Sequence, residues 1–311
     1  MTTKDFPLVV VVGPTSVGKT EYSIELASQL NGEIISADSR QVYKGLDIGT
    51  AKPNINTRKL VEHDLVDIVD PKKIYNLAQF KNDAIISINA VFSKSKLPIL
   101  VGGTGQYIWG LLENWDISDV PPNDERRSQL YSFSVEELLD ILKDLSMDAF
   151  EKVDPKNPRR IVRAIEKEEF FKIHPQKGRF ISTSDQPWNR ILIVGLTLPR
   201  DQLYLKIDQR VDFMINSGWI EEVRTLLNDG IDENLPSMSS LGYRELLSYI
   251  HGDLSLDTAV ERIKFATHRF ARGQYNWFRL DDKRINWFDT TESFDLAIEF
   301  ARNWILSHKS D

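Results

Sequence analysis

The chain has 311 residues, room for one large domain or two ordinary ones. With 41% hydrophobic and 27% charged residues it has the composition of a folded globular protein, and the absence of cysteine excludes disulfides, thiolate metal sites and cysteine nucleophiles. The formal charge of −7 means that any nucleic-acid partner has to be met by a local basic surface rather than by the overall field.

Met1-Thr2-Thr3-Lys4-Asp5 leads straight into a short apolar run, and no stretch approaches the ~18–20 apolar residues of a membrane span. Neither a signal peptide nor a membrane anchor is expected, and a cytoplasmic monomer is the default. Pro7–Val12 (PLVVVV) reads as a strand buried on both faces that stops at Gly13. The apolar spacing of Tyr22, Ile24, Leu26, Ala27 and Leu30 predicts a helix over 19–30, closed by Asn31-Gly32. Glu33–Ala37 comes next as a second strand, so the segment is a βαβ unit and the sheet should be parallel. A helix is expected over 76–94, then a buried strand over Leu97–Val101 that ends in Gly102-Gly103. From Trp115 the texture changes to charged helical stretches, Val135–Leu145 and Pro158–Phe171, and then to a polar stretch over His174–Asn189. This segment, 115–189, reads as a mainly helical insertion domain within a P-loop NTPase-like α/β core built from 1–114 and 190–311. Arg190–Leu198 returns to strand character, and the remainder is chiefly helical.

Gly13-Pro14-Thr15-Ser16-Val17-Gly18-Lys19-Thr20 matches GxxxxGK[ST] in full, after a strand and before a helix, as the motif requires. Backbone N–H groups of such a turn, the helix N-terminus and Lys19 attract phosphate oxygens, while the Thr20 hydroxyl is a ligand for Mg²⁺. A di- or triphosphate, or pyrophosphate, is the expected ligand. In an ATPase the third strand usually ends in an acid, whereas Leu100-Val101 runs into Gly102-Gly103-Thr104-Gly105. Asp38 instead stands at the end of the second strand, on the edge where open α/β sheets bind ligands. It reads either as a site acid, and then as a second candidate Mg²⁺ ligand, or as a turn-capping aspartate.

These motifs fit one family. GPTSVGKT, SADSRQVYKGLDIGTAKP from Ser36, LPILVGGTGQYI from Leu97, NPRRIVRAIE from Asn157, LGYRELLSY from Leu241 and THRFARGQYNWFR from Thr267 together resemble the tRNA dimethylallyltransferases, in order and at family spacing. The chain departs from the family pattern in three places. Glu62-His63-Asp64-Leu65 stands where His-His-Leu is common, Gln106 where leucine is usual, and Gly273 where an extra basic residue is often found.

The resemblance implies transfer of a dimethylallyl group from dimethylallyl diphosphate, with Mg²⁺, to N6 of the adenosine 3′ of the anticodon in tRNAs reading codons that begin with U. It places contacts with the anticodon stem-loop at Asp38, Ser39, Arg40 and Gln41, at Thr104, along Arg159, Arg160, Ile161, Val162 and Arg163, and along Leu241, Gly242, Tyr243 and Arg244. For that chemistry Asp38 is the candidate general base for the N6 proton, and Thr104 a donor to the bridging oxygen of the leaving diphosphate. Ser16, Gly18, Lys19 and Thr20 would hold the diphosphate. Arg40 and Gln41 are candidate readers of an extruded base. Arg159 and Arg163 lie four apart on one helical face, and read from the residues alone solvated helix charge is the usual explanation of such a cluster. Residues 262–284 form the most basic stretch, interleaved with Phe270, Trp277 and Phe278, which periodicity assigns to the core. A small-molecule or nucleoside kinase is the competing reading, with an RNA-binding module lacking chemistry as a third.

Overall fold

In the computed structural model, which describes residues 6–115, 120–175 and 186–307, Pro7–Val12 is the strand β1 inside a six-stranded sheet whose described pairings are all parallel. Its alternating side chains serve two cores. Val9 and Val11 face the helix α1 (Lys19–Leu30), while Leu8, Val10 and Val12 face the opposite layer. All five are fully buried, each contributing about 1.5–3 kcal/mol relative to exposure. The helix α1 ends where Asn31 turns left-handed at φ 52° and its N–H returns to the Ala27 carbonyl. The strand β2 (Gly32–Ser36) continues directly from this turn.

After β2 come a short helix α2 (Ile55–Leu60) and a two-residue strand β3 (His63–Asp64). The helix α3 (Leu77–Ser93) opens with a capping box between Asn76 and Gln79, and β4 (Leu97–Val101) leads through the glycine turn into α4 (Gly105–Leu112). Later in the chain, β5 (Arg190–Thr197) pairs with β1 along the whole length of β1. The helices α9 (Arg200–Asn216), α10 (Trp219–Asn228), α11 (Tyr243–Ile250) and α12 (Leu256–Gln274) precede the strand β6 (Ile285–Asp289) and α13 (Phe294–Leu306). The sheet order is β3-β2-β4-β1-β5-β6. The first-face core joins α1 to α13, and the second joins α3 and α4 to Phe278. The carboxyl ends of β1, β2 and β4 therefore open side by side, the position at which such sheets bind ligands.

A third core anchors the loop between β2 and α2. Val42, Tyr43 and Leu46 pack with Trp219 of α10 and Tyr243 of α11. The Glu222 carboxylate accepts from the N–H groups of Asp47 (2.8 Å), Ile48 (2.6 Å) and Gly49 (3.1 Å) and from the Tyr243 hydroxyl (2.6 Å). The buried Lys52 ammonium is shared by Asp47, Asp67 and the Tyr43 carbonyl. This loop is consequently as well fixed as a strand.

The second compact unit, Asp116–Ser184, is separate from the first, Met1–Trp115 with Asp185–Asp311, and is narrower than the expected 115–189. It holds α5 (Asp124–Leu130), α6 (Val135–Leu145), α7 (Met147–Lys152) and α8 (Pro158–Ile173) around Leu130, Leu138, Leu142, Ile161, Val162 and Ile165. Most of the expected polar stretch over His174–Asn189, residues 176–185, lies outside the described residues.

Two strands were not expected from the sequence: β3, two residues long, and β6, in a region whose helical pattern on either side conceals five residues of edge strand. Phe278 is buried as expected, but Phe270 and Trp277 are 49% and 42% exposed: α12 turns Ala259, Ile263, Ala271 and Gln274 fully inward and not Phe270, and Trp277 follows the end of that helix.

Leu100→Ala, which empties a fully buried position of β4, is expected to lower stability by about 2–5 kcal/mol in urea unfolding; an unmoved midpoint would contradict the packing described.

Candidate active site

The phosphate loop is shaped by three residues that reach conformations most side chains avoid, Gly13 (φ 142°), Ser16 (φ 65°) and Gly18 (φ 99°). Lys19 folds back, its Nζ donating to the carbonyls of Gly13 at 2.9 Å and Pro14 at 2.7 Å. Burial, and after it the nearby Arg210 guanidinium, pulls the Lys19 pKa down to about 7, against the smaller opposing pull of Asp38 and Glu21. Arg210, on α9, points Nη1 at the hydroxyls of Thr15 (3.3 Å) and Ser16 (3.5 Å), and burial lowers its pKa as well. Two buried cations beside the loop, whose burial Asp38 and Glu21 offset only in part, suit the binding of a phosphate.

A cavity continues from Lys19 and Thr20 past Ser36 and Asp38 to His63 and Gly103. Asp38 uses its two oxygens differently. Oδ1 accepts from the N–H groups of Arg40 (2.8 Å) and Gln41 (3.3 Å), whereas Oδ2 has no hydrogen bond among the described residues. The turn-forming and site-facing readings of this residue thus coexist. Thr104 starts α4 without capping it. Its Oγ1 accepts from the Ser39 N–H at 3.1 Å and lies 3.4 Å from the Ser39 hydroxyl, which brings Thr104 to the Asp38 segment. The His63 ring lines the same cavity. Its Nδ1 lies 2.7 Å from the Val61 carbonyl, which assigns a proton to Nδ1, and burial lowers its pKa, which favours the neutral ring.

The proposed base readers are otherwise engaged. The Arg40 guanidinium donates to the Pro236 carbonyl and to the Ser239 hydroxyl. The Gln41 amide donates to the Thr50 and Ala51 carbonyls, each at 3.3 Å, while its oxygen accepts from Ser36. In the Leu241–Arg244 turn, the Tyr243 side chain is fully buried against Trp219, and Gly242 leaves no room for a Cβ beside the same indole; only Arg244 is exposed.

In the second unit Ile161 and Val162 are core residues, which corrects their expected place among the RNA contacts. Arg163 donates to the Val120 carbonyl (2.7 Å) and to Glu166 (3.2 Å), so it is largely structural. Burial pushes the Glu166 carboxyl up, but hydrogen bonds from Arg127, the Asn123 N–H and Arg163 outweigh this and hold its pKa below the usual range. Arg159 and Arg160 are exposed, and Arg159 has no partner among the described residues. In the basic stretch, Lys264 pairs with Asp212, Arg279 with Asp281 and Arg284 with Asp282 and Glu113, leaving Arg262, Arg269, Arg272 and Lys283 as exposed charges without an ion pair among the described residues.

Sequence reasoning missed Arg210 and Gln274. The signal for Arg210 is a charge on the apolar stripe formed by Leu203, Ile207, Val211 and Met214. For Gln274 it is a polar side chain one turn beyond Ala271 on the inward face of α12. A second groove, lined by Glu21, Glu25, Asp295 and Glu299 between α1 and α13, has the wrong charge for phosphate.

Two family models match the sequence, one described as IPP transferase over residues 41–281 and one as isopentenyl transferase over residues 6–63. A tRNA dimethylallyltransferase of Thermomicrobium roseum is 44% identical over 294 residues, covering 92% of this chain and 87% of its own. One from Herpetosiphon aurantiacus is 45% identical, covering 90% of each. The crystal structure of the tRNA isopentenylpyrophosphate transferase of Bacillus halodurans superposes with a TM-score of 0.72 at 36% identity, covering 97% of this chain and 96% of its own. A eukaryotic dimethylallyltransferase acting on tRNA shares the fold, with a TM-score of 0.79 at 23% identity over 97% of this chain and 80% of its own.

Because Lys19 is neutral above about pH 7, an anion bound at higher pH has to bring a proton with it. Calorimetry with inorganic diphosphate should show affinity falling between pH 7 and 9 more steeply than in Lys19→Arg, whose guanidinium stays charged, by up to about tenfold per pH unit. Parallel slopes would contradict a depressed Lys19.

Proposed function

The chain belongs to the IPP transferase family of tRNA dimethylallyltransferases, and we propose that it transfers the dimethylallyl group of dimethylallyl diphosphate to N6 of the adenosine 3′ of the anticodon, in tRNAs reading codons that begin with U. The observation that carries this reading is the juxtaposition of an anion loop holding two desolvated cations with a carboxylate, Asp38, that has one oxygen free in the same cavity. The kinase alternative has no acid at the end of β4, and the relatives from Thermomicrobium and Herpetosiphon are named as transferases of a prenyl group.

The adenine N6 lone pair is delocalised into the ring, so the amine needs to lose its proton as the new bond forms. In the proposed reaction N6 attacks C1 of the allylic chain, the C1–O bond breaks with its electron pair leaving on diphosphate, and the N6 proton passes to Asp38 Oδ2. Oδ1 keeps the carboxylate aimed through the Arg40 and Gln41 N–H groups. In this reading the loop amides, Lys19 and Arg210 receive the charge that grows on the diphosphate, and Thr104, after the Gly102-Gly103 turn, turns its hydroxyl from Ser39 to donate to the departing oxygen. Fixed donors of this kind act without reorganisation at the moment of reaction, which suits a leaving group that gains charge as it departs.

Mg²⁺ fits the donor set. The Thr20 hydroxyl lines the cavity and has no hydrogen bond among the described residues, and no group of three or more His, Asp or Glu there could hold a metal by itself, so phosphate oxygens and water would complete the shell. When bound, the ion neutralises diphosphate charge. Exposed Arg159, Arg160 and Arg244 supply the phosphate contacts to the anticodon stem-loop. No helix among the described residues is long and apolar enough to cross a membrane.

Labelled dimethylallyl diphosphate with Mg²⁺ is expected to label unmodified tRNA carrying adenosine 3′ of the anticodon. Asp38→Asn, which retains the acceptor used by Arg40 and Gln41, should bind diphosphate normally and turn over at least about 10²-fold more slowly. Absence of transfer alongside ATP consumption would favour a kinase, and an undiminished rate in the variant would remove Asp38 from the base role.

A further inference from the structure

Gln274 occupies the end of α12, far in sequence from either glycine loop, yet it touches both. Its side-chain oxygen accepts from the Thr15 N–H of the phosphate loop at 2.8 Å, and its Nε2 donates to the Gly103 carbonyl of the turn before α4 at 2.9 Å. The residue is 4% exposed. Gly103 has no room for a Cβ, because one built there would overlap Gln274 Nε2. A second tie brings the same segments together, from the Trp109 indole N–H of α4 to the Trp277 carbonyl at 2.8 Å.

We infer that Gln274 is a positioning residue that sets the distance between the phosphate loop and the Thr104 turn. The inference rests on the prenyl-transfer reading only for what that distance is used for: aligning the diphosphate, held by one loop, with Thr104 and the Asp38 segment, held by the other. A primary amide suits the task because a single tip carries one donor and one acceptor without charge. A carboxylate in its place would lose the donor and set a negative charge against the Gly103 carbonyl and the bound diphosphate. A lysine or arginine would lose the acceptor and add a third cation beside Lys19 and Arg210. Because Gln274 satisfies the Thr15 N–H, diphosphate is left to the later amides of the loop, to Lys19 and to Arg210. Loss of the clamp should therefore damage alignment more than affinity.

Two variants and two measurements test this. Gln274→Met fills the same space without hydrogen bonds. Single-turnover transfer to tRNA should fall by about 30-fold or more, as expected for an ångström-scale misplacement, with the Kd for inorganic diphosphate within about threefold of the parent. Gln274→Glu should show the same deficit at pH 8.5 and recover toward the parent at pH 6, since the neutral carboxyl can again donate to Gly103 and accept from Thr15; the Gln274→Met ratio should stay flat with pH. A role confined to stability would not confine a pH-dependent ratio to the glutamate variant. Amide hydrogen exchange reads the clamp without turnover: protection of Thr15 and of the 101–106 segment should drop in Gln274→Met at temperatures where the protein remains folded. Failure of the unsubstituted enzyme to transfer a prenyl group would count against the proposed function, with the exchange arm still deciding on the clamp. Transfer rates within twofold of the parent together with unchanged protection, or rate and diphosphate affinity lost in parallel with no recovery of Gln274→Glu at low pH, would overturn the inference.

Discussion

The Lys19 ammonium and the Arg210 guanidinium are held beside one turn of backbone, and the pull of Asp38 and Glu21 on both does not make up for their burial. Holding two like charges in that condition is costly, and burial lowers the pKa of each in consequence. The parallel sheet makes the arrangement possible. β1 is a strand buried from Leu8 to Val12 whose end presents the loop, and the Gly13 and Pro14 carbonyls accept hydrogen bonds from the Lys19 Nζ. An anion entering this site meets the Arg210 guanidinium and the Lys19 side chain already desolvated, and brings the Lys19 proton with it where that amine is neutral, so much of the desolvation that binding would require has been completed in folding.

The neighbouring strand ends complete the site by hydrogen bonding rather than by charge. β2 delivers Asp38, whose two oxygens divide the labour between a turn and the cavity. β4 delivers the Gly102-Gly103 turn, on which Thr104 reaches Ser39. The long loop beyond β2 would be mobile if it depended on its own composition. Instead Glu222 gathers three of its N–H groups, Lys52 ties its Asp47 to Asp67 beyond β3, and Trp219 with Tyr243 packs against it. A positioned base is worth little on a moving loop, and the rigidity of this segment is what lets a single carboxylate oxygen be aimed.

Much of this was legible in the amino-acid sequence. The run PLVVVV, the glycine-lysine turn and the caps at Asn31 and Asn76 are local signals, and local signals survive folding. What was not legible depends on long-range contact. Arg210 reads as one more charge in a charged helix until α9 is laid against the phosphate loop, and Gln274 is hidden in a basic, aromatic stretch that draws attention to its cations. The same limit explains the residues read too generously. Ile161 and Val162 stand between arginines in the sequence but turn into the core of their own unit, and Arg163 is drawn to the buried Glu166. Arg40 and Gln41 look like free polar groups beside Asp38, but the segments 236–239 and 50–51 fold over them and take their donors. β6 was obscured because five residues of half-buried edge strand carry too little periodicity to stand out between two helices.

The phosphate loop, on this account, cradles a leaving group joined to a prenyl chain, with the acid opposite serving the incoming amine. A crystal structure with an unreactive thiolo analogue of dimethylallyl diphosphate tests this directly. The account predicts the diphosphate on the Gly13–Thr20 loop within reach of Lys19 and Arg210, with C1 turned toward Asp38 and Thr104. Density for the diphosphate elsewhere, or a chain directed away from Asp38, would contradict it.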